Sequence, residues 1–524
     1  MDTKALRQKI LDLAIRGKLV PQDPSDEPAS VLLEKIREEK ARMVKDGKLK
    51  KKDIKNDSII YVGEDNLHYE KFQDGTVKCI EDEIPFDVPE GWAWERLSNL
   101  AAFSGGKTPS TSHREFWDGE ILWVTSKDMK NKYITFSQLR LSVLGAEQMQ
   151  MYQPDTLLLV TRSGILRHTL PVSILKERAT INQDLKAIVL YMPQLAEYIY
   201  VCLKGMEAQL LLKYTKSGTT VENINFNEFQ KILLPIPPLQ EMAKIIVAIC
   251  KAEHIISSIE DSKVELVKNV AKAKAKILDL AIRGKLVPQD PNDEPASVLL
   301  KRIRQEKEEL IKQGKIKRNK KEPVIFKGED NSYYLQSGEL IESLRDWGFE
   351  ELPDTWSICC LGELCDYGNC INVDTSNIDD SAWMLDLEDI EKDTGIVLQK
   401  IRKAERNAAS TKHLFHKGQV LYSKLRPYLN KVVLADEDGY CTSEILPLEF
   451  ERNILPQYAR YYLMSPAFLG YANKCSYGVK MPRLGTADGK KAVMSIPPLN
   501  EQVRIVATIE QSFAQLNSIV NNLS

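Results

Sequence analysis

The stretch Lys9 to Leu33, KILDLAIRGKLVPQDPSDEPASVLL, recurs at Lys276 to Leu300 with one change, Ser25 to Asn292. Two 25-residue segments this similar, set 267 residues apart with dissimilar sequence between them, mark a tandem duplication. The copied part is a frame and the diverged part is what the frame holds. Smaller matches extend the repeat. Gly63-Glu-Asp-Asn66 matches Gly328-Glu-Asp-Asn331, Pro89-Glu-Gly-Trp92 resembles Pro353-Asp-Thr-Trp356, and Ile236-Pro-Pro-Leu-Gln-Glu241 matches Ile496-Pro-Pro-Leu-Asn-Glu501. Each half therefore runs in one order: a frame segment, then a small hairpin with Asp74-Gly75 or Ser337-Gly338 at its turn. A variable region follows and closes on an IPPL element.

Composition bounds the class. The chain has 524 residues, 43% hydrophobic and 28% charged, which is a globular profile with room for several domains. No run approaches the roughly 18 to 20 apolar residues of a bilayer span, and the first residues lack the apolar core of a signal peptide. A cytoplasmic location without a membrane partner is expected. Nine cysteines at irregular spacing predict reduced thiols rather than a disulfide framework. A formal charge of -2 means that any nucleic-acid binding rests on local patches or on partners.

After the first IPPL element, alternating steps of four and three from Ile245 meet Ile249, Ala252, Ile256, Ile259, Lys263, Leu266, Val270, Ala273, Ile277 and Leu280. This is a coiled-coil seam, with no Gly or Pro between Leu239 and Arg283 and stop signals at Gly284 and Pro288. At 1.5 Å per residue such a helix spans roughly 65 Å. A second helix is expected from about Asp293-Glu-Pro295 into the basic tail Lys312 to Lys321. The same seam continues at Ile505, Ile509, Ser512, Leu516, Ile519 and Leu523, and resumes in phase at Leu6, Ile10 and Leu13. This predicts a second rod divided between the two ends of the chain.

The ILDLAIRGKLVPQDP blocks at Ile10 to Pro24 and Ile277 to Pro291, the IPPLQE and IPPLNE elements, and Gly418-Gln-Val-Leu-Tyr-Ser-Lys-Leu-Arg-Pro427 together resemble the specificity (S) subunit of type I restriction-modification enzymes, over essentially the whole chain. The resemblance implies an α+β fold. Two α/β target-recognition domains, residues 85–236 and 350–496, would be separated by two long antiparallel coiled-coil helices in a pseudo-twofold circular arrangement. The conserved regions would be 1–84, 237–349 and 497–524. Each domain would read one half of a bipartite double-stranded DNA target, and because the domains differ the target would be asymmetric. Readers with two-fold symmetry contact half-sites about one helical turn, ~34 Å, apart. The implied partners are two modification (methyltransferase) subunits and two restriction (ATPase/nuclease) subunits. These would use S-adenosylmethionine, ATP and Mg2+, with no cofactor bound by this chain.

Several residues are candidates for DNA contact. Lys107, Thr108 and Ser110 lie in Phe103-Ser-Gly-Gly-Lys-Thr-Pro-Ser110, which is not a Walker loop because Ala101 stands where its first Gly belongs and Pro109 opposes the helix required next. The segment is either a holder of backbone phosphate or a plain surface turn. Arg162 and Arg167 follow the apolar run Leu157 to Val160, and the alternative for Arg162 is a structural ion pair. In the second domain, Asp374 to Asp393 holds eight acidic residues and Lys400 to Lys431 nine basic ones. Lys424, Arg426, Tyr428 and Lys431 in that basic stretch suit phosphate contact, and an Arg such as Arg426 can pair bidentately with guanine. A solvated face balancing the acidic stretch is the alternative. Lys480 and Arg483 are further loop candidates by resemblance. The duplicated cations Lys48, Lys50 and Lys51, matched by Lys315, Lys317 and Arg318, touch DNA, a partner or only water.

Nothing in the sequence argues for catalysis by this chain. It lacks the Gly-rich loop and Asn/Asp-Pro-Pro-aromatic motif of an adenine methyltransferase and a nuclease carboxylate and Lys cluster. Cys359, Cys360, Cys365 and Cys370 fit no usual zinc spacing, and His413 and His416 have no Cys pair beside them. The chain is expected to be non-catalytic. A coiled-coil scaffold without DNA binding and a stand-alone DNA-modifying enzyme are the competing readings.

Overall fold

The computed structural model describes residues 2–216, 221–314, 323–347, 349–406 and 410–522. They form two compact units, Met1–Ser262 and Lys263–Ser524.

In the first unit, helix Thr3–Ile15 is capped by the Asp2 side chain, which accepts from the Ala5 N–H. It stops at Gly17, where φ is +65° and an added Cβ would lie 2.4 Å from the Pro89 ring. Helix Ala29–Lys45 follows Pro28. A three-stranded antiparallel sheet, Ser58–Val62, His68–Phe72 and Val77–Cys79, comes next. Its first turn places Asn66 in the left-handed region, one of the few side chains that tolerate it. Strand Ala93–Arg96 then pairs antiparallel with Leu233–Ile236, so the two ends of the variable region meet. Between them lie a five-stranded sheet built on Ala101–Gly105, Leu185–Leu190 and Leu157–Val160, and a three-stranded one carrying Trp117–Val124. Helix Ala196–Gly205 backs the larger sheet and packs on the N-terminal helix, with Gln8 Nε2 donating to the Gly205 carbonyl at 3.0 Å.

The second unit repeats this order. Gly284, φ +67°, ends the long helix Leu239–Ile282 against Pro353. Helix Ala296–Lys312 and the sheet Val324–Lys327, Tyr333–Ser337 and Leu340–Ser343 follow, with Asn331 left-handed in the turn. The expected continuation of that helix into a basic tail stops at Gly314, φ +71°, and Lys315, Lys317 and Arg318 lie outside the described residues. Strands Ser357–Cys360 and Val493–Ile496 close the second variable region. It contains a five-stranded sheet around Lys412–Phe415 and Gly439–Thr442, and a three-stranded one centred on Val420–Ser423.

Each unit holds an antiparallel helix pair. In the first, Arg7 reaches Glu253 at 2.9 Å and Glu260 at 2.8 Å on the long helix. In the second, Lys274 Nζ donates to Asn517 Oδ1 of the terminal helix Leu499–Asn521 at 2.6 Å. The expected seam is buried at Ile245, Ile249, Ile256, Val270, Ile505 and Ile509. Elsewhere it gives way: Leu6, Ile259 and Ile519 are exposed, Leu523 is outside the described residues, and Ala14, Ile15, Leu278, Ala281 and Ile282 are buried instead of Leu13, Ile277 and Leu280. Where Ala281 and Ile282 are buried, the long helix faces the second variable region rather than another helix, as Ser495 Oγ donating to the Ile282 carbonyl shows.

One clasp explains most of the repeated motifs. Glu241 of IPPLQE is buried and accepts from Trp92 Nε1 at 2.9 Å and Gln22 Nε2 at 2.9 Å. Glu501 of IPPLNE accepts likewise from Trp356 Nε1 at 3.0 Å and Gln289 Nε2 at 2.7 Å. A buried carboxylate without such donors would be costly, so Gln, Trp and Glu are copied together. The neighbouring ion pairs Lys244–Asp26 and Arg504–Asp293 repeat as well, at 3.0 and 2.5 Å.

Candidate nucleic-acid interface

Strands Leu157–Val160 and Val420–Ser423 are paired on both edges and buried at every position, because alternate residues enter different hydrophobic cores on the two faces of the sheet. Each emerges into a turn that is bonded to a short hairpin, in the same way in both domains. Thr161 N–H donates to the Asp184 carbonyl, Ile224 N–H to the Thr161 carbonyl, and Ser163 N–H to the Glu222 carbonyl, at 2.9, 2.9 and 3.1 Å. In the second domain Lys424 N–H donates to Glu444, Leu484 N–H to Lys424 and Arg426 N–H to Pro482, at 3.0, 3.0 and 2.7 Å. The hairpins are Thr215–Lys216 with Asn223–Ile224, and Ser476–Tyr477 with Arg483–Leu484. A 3-10 turn follows in each, Gly164–Arg167 and Pro427–Leu429.

This turn-and-hairpin platform carries different side chains in the two domains. Thr161-Arg162-Ser163 stands where Lys424-Leu425-Arg426 stands in the other. Arg426 and Asn430 both have φ +49°, in the left-handed region, and Arg426 Nε is buried without a hydrogen-bond partner among the described residues. Backbone strain of this kind costs on the order of 1–3 kcal/mol and collects at functional sites.

Of the first-domain candidates, Lys107, Thr108, Arg162 and Arg167 lie at one end of that platform, and Ser110 stands apart from it against Ser112 and Trp117. Thr108 Oγ1 donates to Gln183 Oε1, and Lys107 N–H to the Ile181 carbonyl at 3.0 Å, beside the turn through Asp184 that meets Thr161. Gly106 is required here because a Cβ would lie 2.1 Å from the Ile181 carbonyl oxygen, so its role is close chain packing. Lys107 and Thr108 are exposed, and Ser110 Oγ lies 2.7 Å from Ser112 Oγ. Arg162 is exposed and forms no ion pair among the described residues, while Arg167 pairs with Glu222 and holds that carboxylate below its usual range.

In the second domain the basic stretch divides. Lys400 and Arg402 pair with Asp436 and Glu437, Lys403 with Asp380, and Arg406 and Lys412 with Asp386, Arg406 also with the buried Asp389. From Lys403 to Lys412 the basic stretch is thus neutralised by the acidic one, and Lys400 and Arg402 by Asp436 and Glu437 beyond both. Lys431 Nζ donates to the Leu387 carbonyl at 2.6 Å, and burial lowers its ammonium pKa. Lys424 is half-buried, Tyr428 and Lys480 are exposed, and all three lie on the platform. Arg483 is held bidentately by Glu444, at 2.7 and 3.0 Å, which raises its pKa. Sequence reasoning missed the exposed Tyr477, Val479 and Met481 on the same hairpin. Their only signal was apolar residues flanking Lys480 in a loop bounded by Gly478 and Pro482.

Lys48 and Lys51 are exposed just beyond the end of helix Ala29–Lys45, and Lys50 is exposed with a partner of its own. Cys359, Cys360 and Cys365 are buried free thiols, and burial raises the pKa of Cys359 and Cys365. Among the described residues, no group of three His, Cys, Asp or Glu side chains is placed to hold a metal, and no helix is long and apolar enough to cross a membrane.

The chain matches the family model described as the type I restriction modification DNA specificity domain over residues 89–266 and 353–524. It is 31% identical to the specificity subunit of the type I restriction enzyme EcoAI of Escherichia coli, over 70% of this chain and 63% of that one. It is 25% identical to the EcoEI specificity subunit of the same species, over 99% of this chain and 90% of that one. The chain thus spans just under two-thirds of the first relative and nine-tenths of the second. A solved HsdS subunit from Thermoanaerobacter tengcongensis aligns over 84% of this chain and 94% of that one, at 15% identity and a TM-score of 0.38.

Proposed function

The chain belongs to the type I restriction-modification DNA specificity family, and from that premise we propose that it is the non-catalytic subunit that reads a bipartite, asymmetric DNA target. The observation that carries the reading is the platform found in both domains with different side chains on it. Matching backbone hydrogen bonds place the two reading heads alike, and unequal side chains give them different half-sites. Direct readout needs this division, since backbone contacts position a protein and base-edge contacts specify sequence. Lys107, Thr108 and Arg162 serve the first half-site, and Lys424, Arg426, Tyr428 and Lys480 the second.

The near-identical segments Lys9 to Leu33 and Lys276 to Leu300 serve the clasp, and their exposed residues dock a partner present in two copies. These partners are modification subunits that methylate adenine with S-adenosylmethionine, joined in the restricting complex by two subunits that use ATP and Mg2+. Recognition by this chain then decides where the partners act. Mapping methylated adenines in a host expressing this chain with its methyltransferase tests the reading. A split, asymmetric motif is expected; a short continuous palindrome, or no methylation, overturns it.

A further inference from the structure

We propose that the hairpin tip of the second domain reads thymine methyl groups through Val479 and Met481, an inference that rests on the function proposed above and specifies its chemistry. Val479 is fully exposed, at 102% of its reference surface, and Tyr477 and Met481 beside it are exposed as well. Three such side chains clustered at one loop tip form an exposed patch of the kind that marks a contact made outside the chain.

The tip is held stiffly. Gly478, φ +102°, and Pro482 bound it, and at its base Arg426 N–H bonds the Pro482 carbonyl. Arg483 bonds both oxygens of Glu444 and, through NH1, the Met481 carbonyl at 3.1 Å. With its guanidinium committed in this way, Arg483 is a positioning residue and the tip is the reader.

Charge identifies the occupant. Lys480 stands between the two apolar residues, and the adjoining turn brings Lys424, Arg426 and Tyr428. Cations around an apolar tip suit a surface of phosphates with small apolar features. Double-stranded DNA offers one such feature without unstacking, the C5-methyl of thymine in the major groove. That groove, about 12 Å wide, admits a two-stranded ribbon, and the minor groove presents no thymine methyl.

The test uses the full chain assembled with its modification subunits on duplexes carrying the mapped target. Each thymine of the half-site assigned to residues 350–496 is replaced in turn by deoxyuridine, which lacks only the methyl. At one or two positions wild type is expected to lose about three- to tenfold in affinity, the scale of one buried methyl. The double variant Val479→Ala, Met481→Ala binds thymine and deoxyuridine duplexes alike. Lys480→Ala weakens all duplexes equally, as a phosphate contact does, and reduces the salt slope by about one. Arg483→Lys, which keeps the charge but loses the bidentate pairing, narrows the thymine-to-deoxyuridine ratio. A half-site insensitive to every methyl removal, or a double variant that discriminates as wild type does, overturns the proposal. Wild type binding no split target overturns the underlying reading instead. Because Val479, Lys480 and Met481 are exposed, loss of folding does not confuse the comparison at those positions, and the thermal unfolding curve of Arg483→Lys, expected to match wild type, controls for it at the fourth.

Discussion

Glu95, 2% exposed in strand Ala93–Arg96, is a carboxyl almost without water. Burial pushes its pKa up to about 7, although Asn99 Nδ2 and the Arg96 N–H donate to it at 2.7 and 2.8 Å. An unfolded Glu titrates near 4.3. Between those values the folded state binds the extra proton, so stability falls as pH rises through the window and the cost is complete above about pH 7. Glu95→Gln keeps the acceptor oxygen and removes the charge. It should stabilise the protein by up to about 3 kcal/mol at pH 8 and by almost nothing at pH 4, in paired denaturation curves. An equal effect at both pH values would show that the native carboxyl is not shifted. The sequence could not announce this residue: the equivalent position in the second unit, set by the pairing of Ser357–Cys360 with Val493–Ile496, is Cys359.

At the scale of elements, the turns after helices Thr3–Ile15 and Leu239–Ile282 are the most constrained joints. Gly284 combines a left-handed backbone with Pro353 2.6 Å from an added Cβ, and Gly17 does the same against Pro89. Gly284→Ala should cost about 2–4 kcal/mol, from backbone strain and overlap together. Gly314, also left-handed but with nothing among the described residues within 4 Å of an added Cβ, is the control, expected to cost only about 1 kcal/mol. Thermal unfolding of the two variants checks the difference; equal shifts would mean that Pro353 moves aside. The helices and their stops were legible because apolar spacing and Gly or Pro breaks are local signals. The drift of the buried face to Ala281 and Ile282 was not, because it depends on what the helix packs against.

For the whole molecule, the closing strand pairs Ala93–Arg96 with Leu233–Ile236 and Ser357–Cys360 with Val493–Ile496 make each variable region a closed insert. Exchanging residues 350–496 for the corresponding region of a related chain, with Trp356 and Glu501 kept, should change one half of the methylation motif and leave the other intact. Genome-wide methylation mapping of the hybrid reads this directly. A change in both halves would show that the domains do not read independently.

The sequence by itself determined the duplication, the order of parts, the frame helices and the family, because copied segments keep literal identity and helical periodicity is written along the chain. Only the tertiary structure decided which cations are committed to carboxylates. Lys400, Arg402 and Lys403 meet acids 23 to 36 residues away, and Arg483 meets Glu444 39 residues away. It alone also revealed that Thr161-Arg162-Ser163 and Lys424-Leu425-Arg426 occupy the same platform. That equivalence is made by backbone N–H and carbonyl groups, which every residue carries alike, so it leaves no trace in the order of side chains.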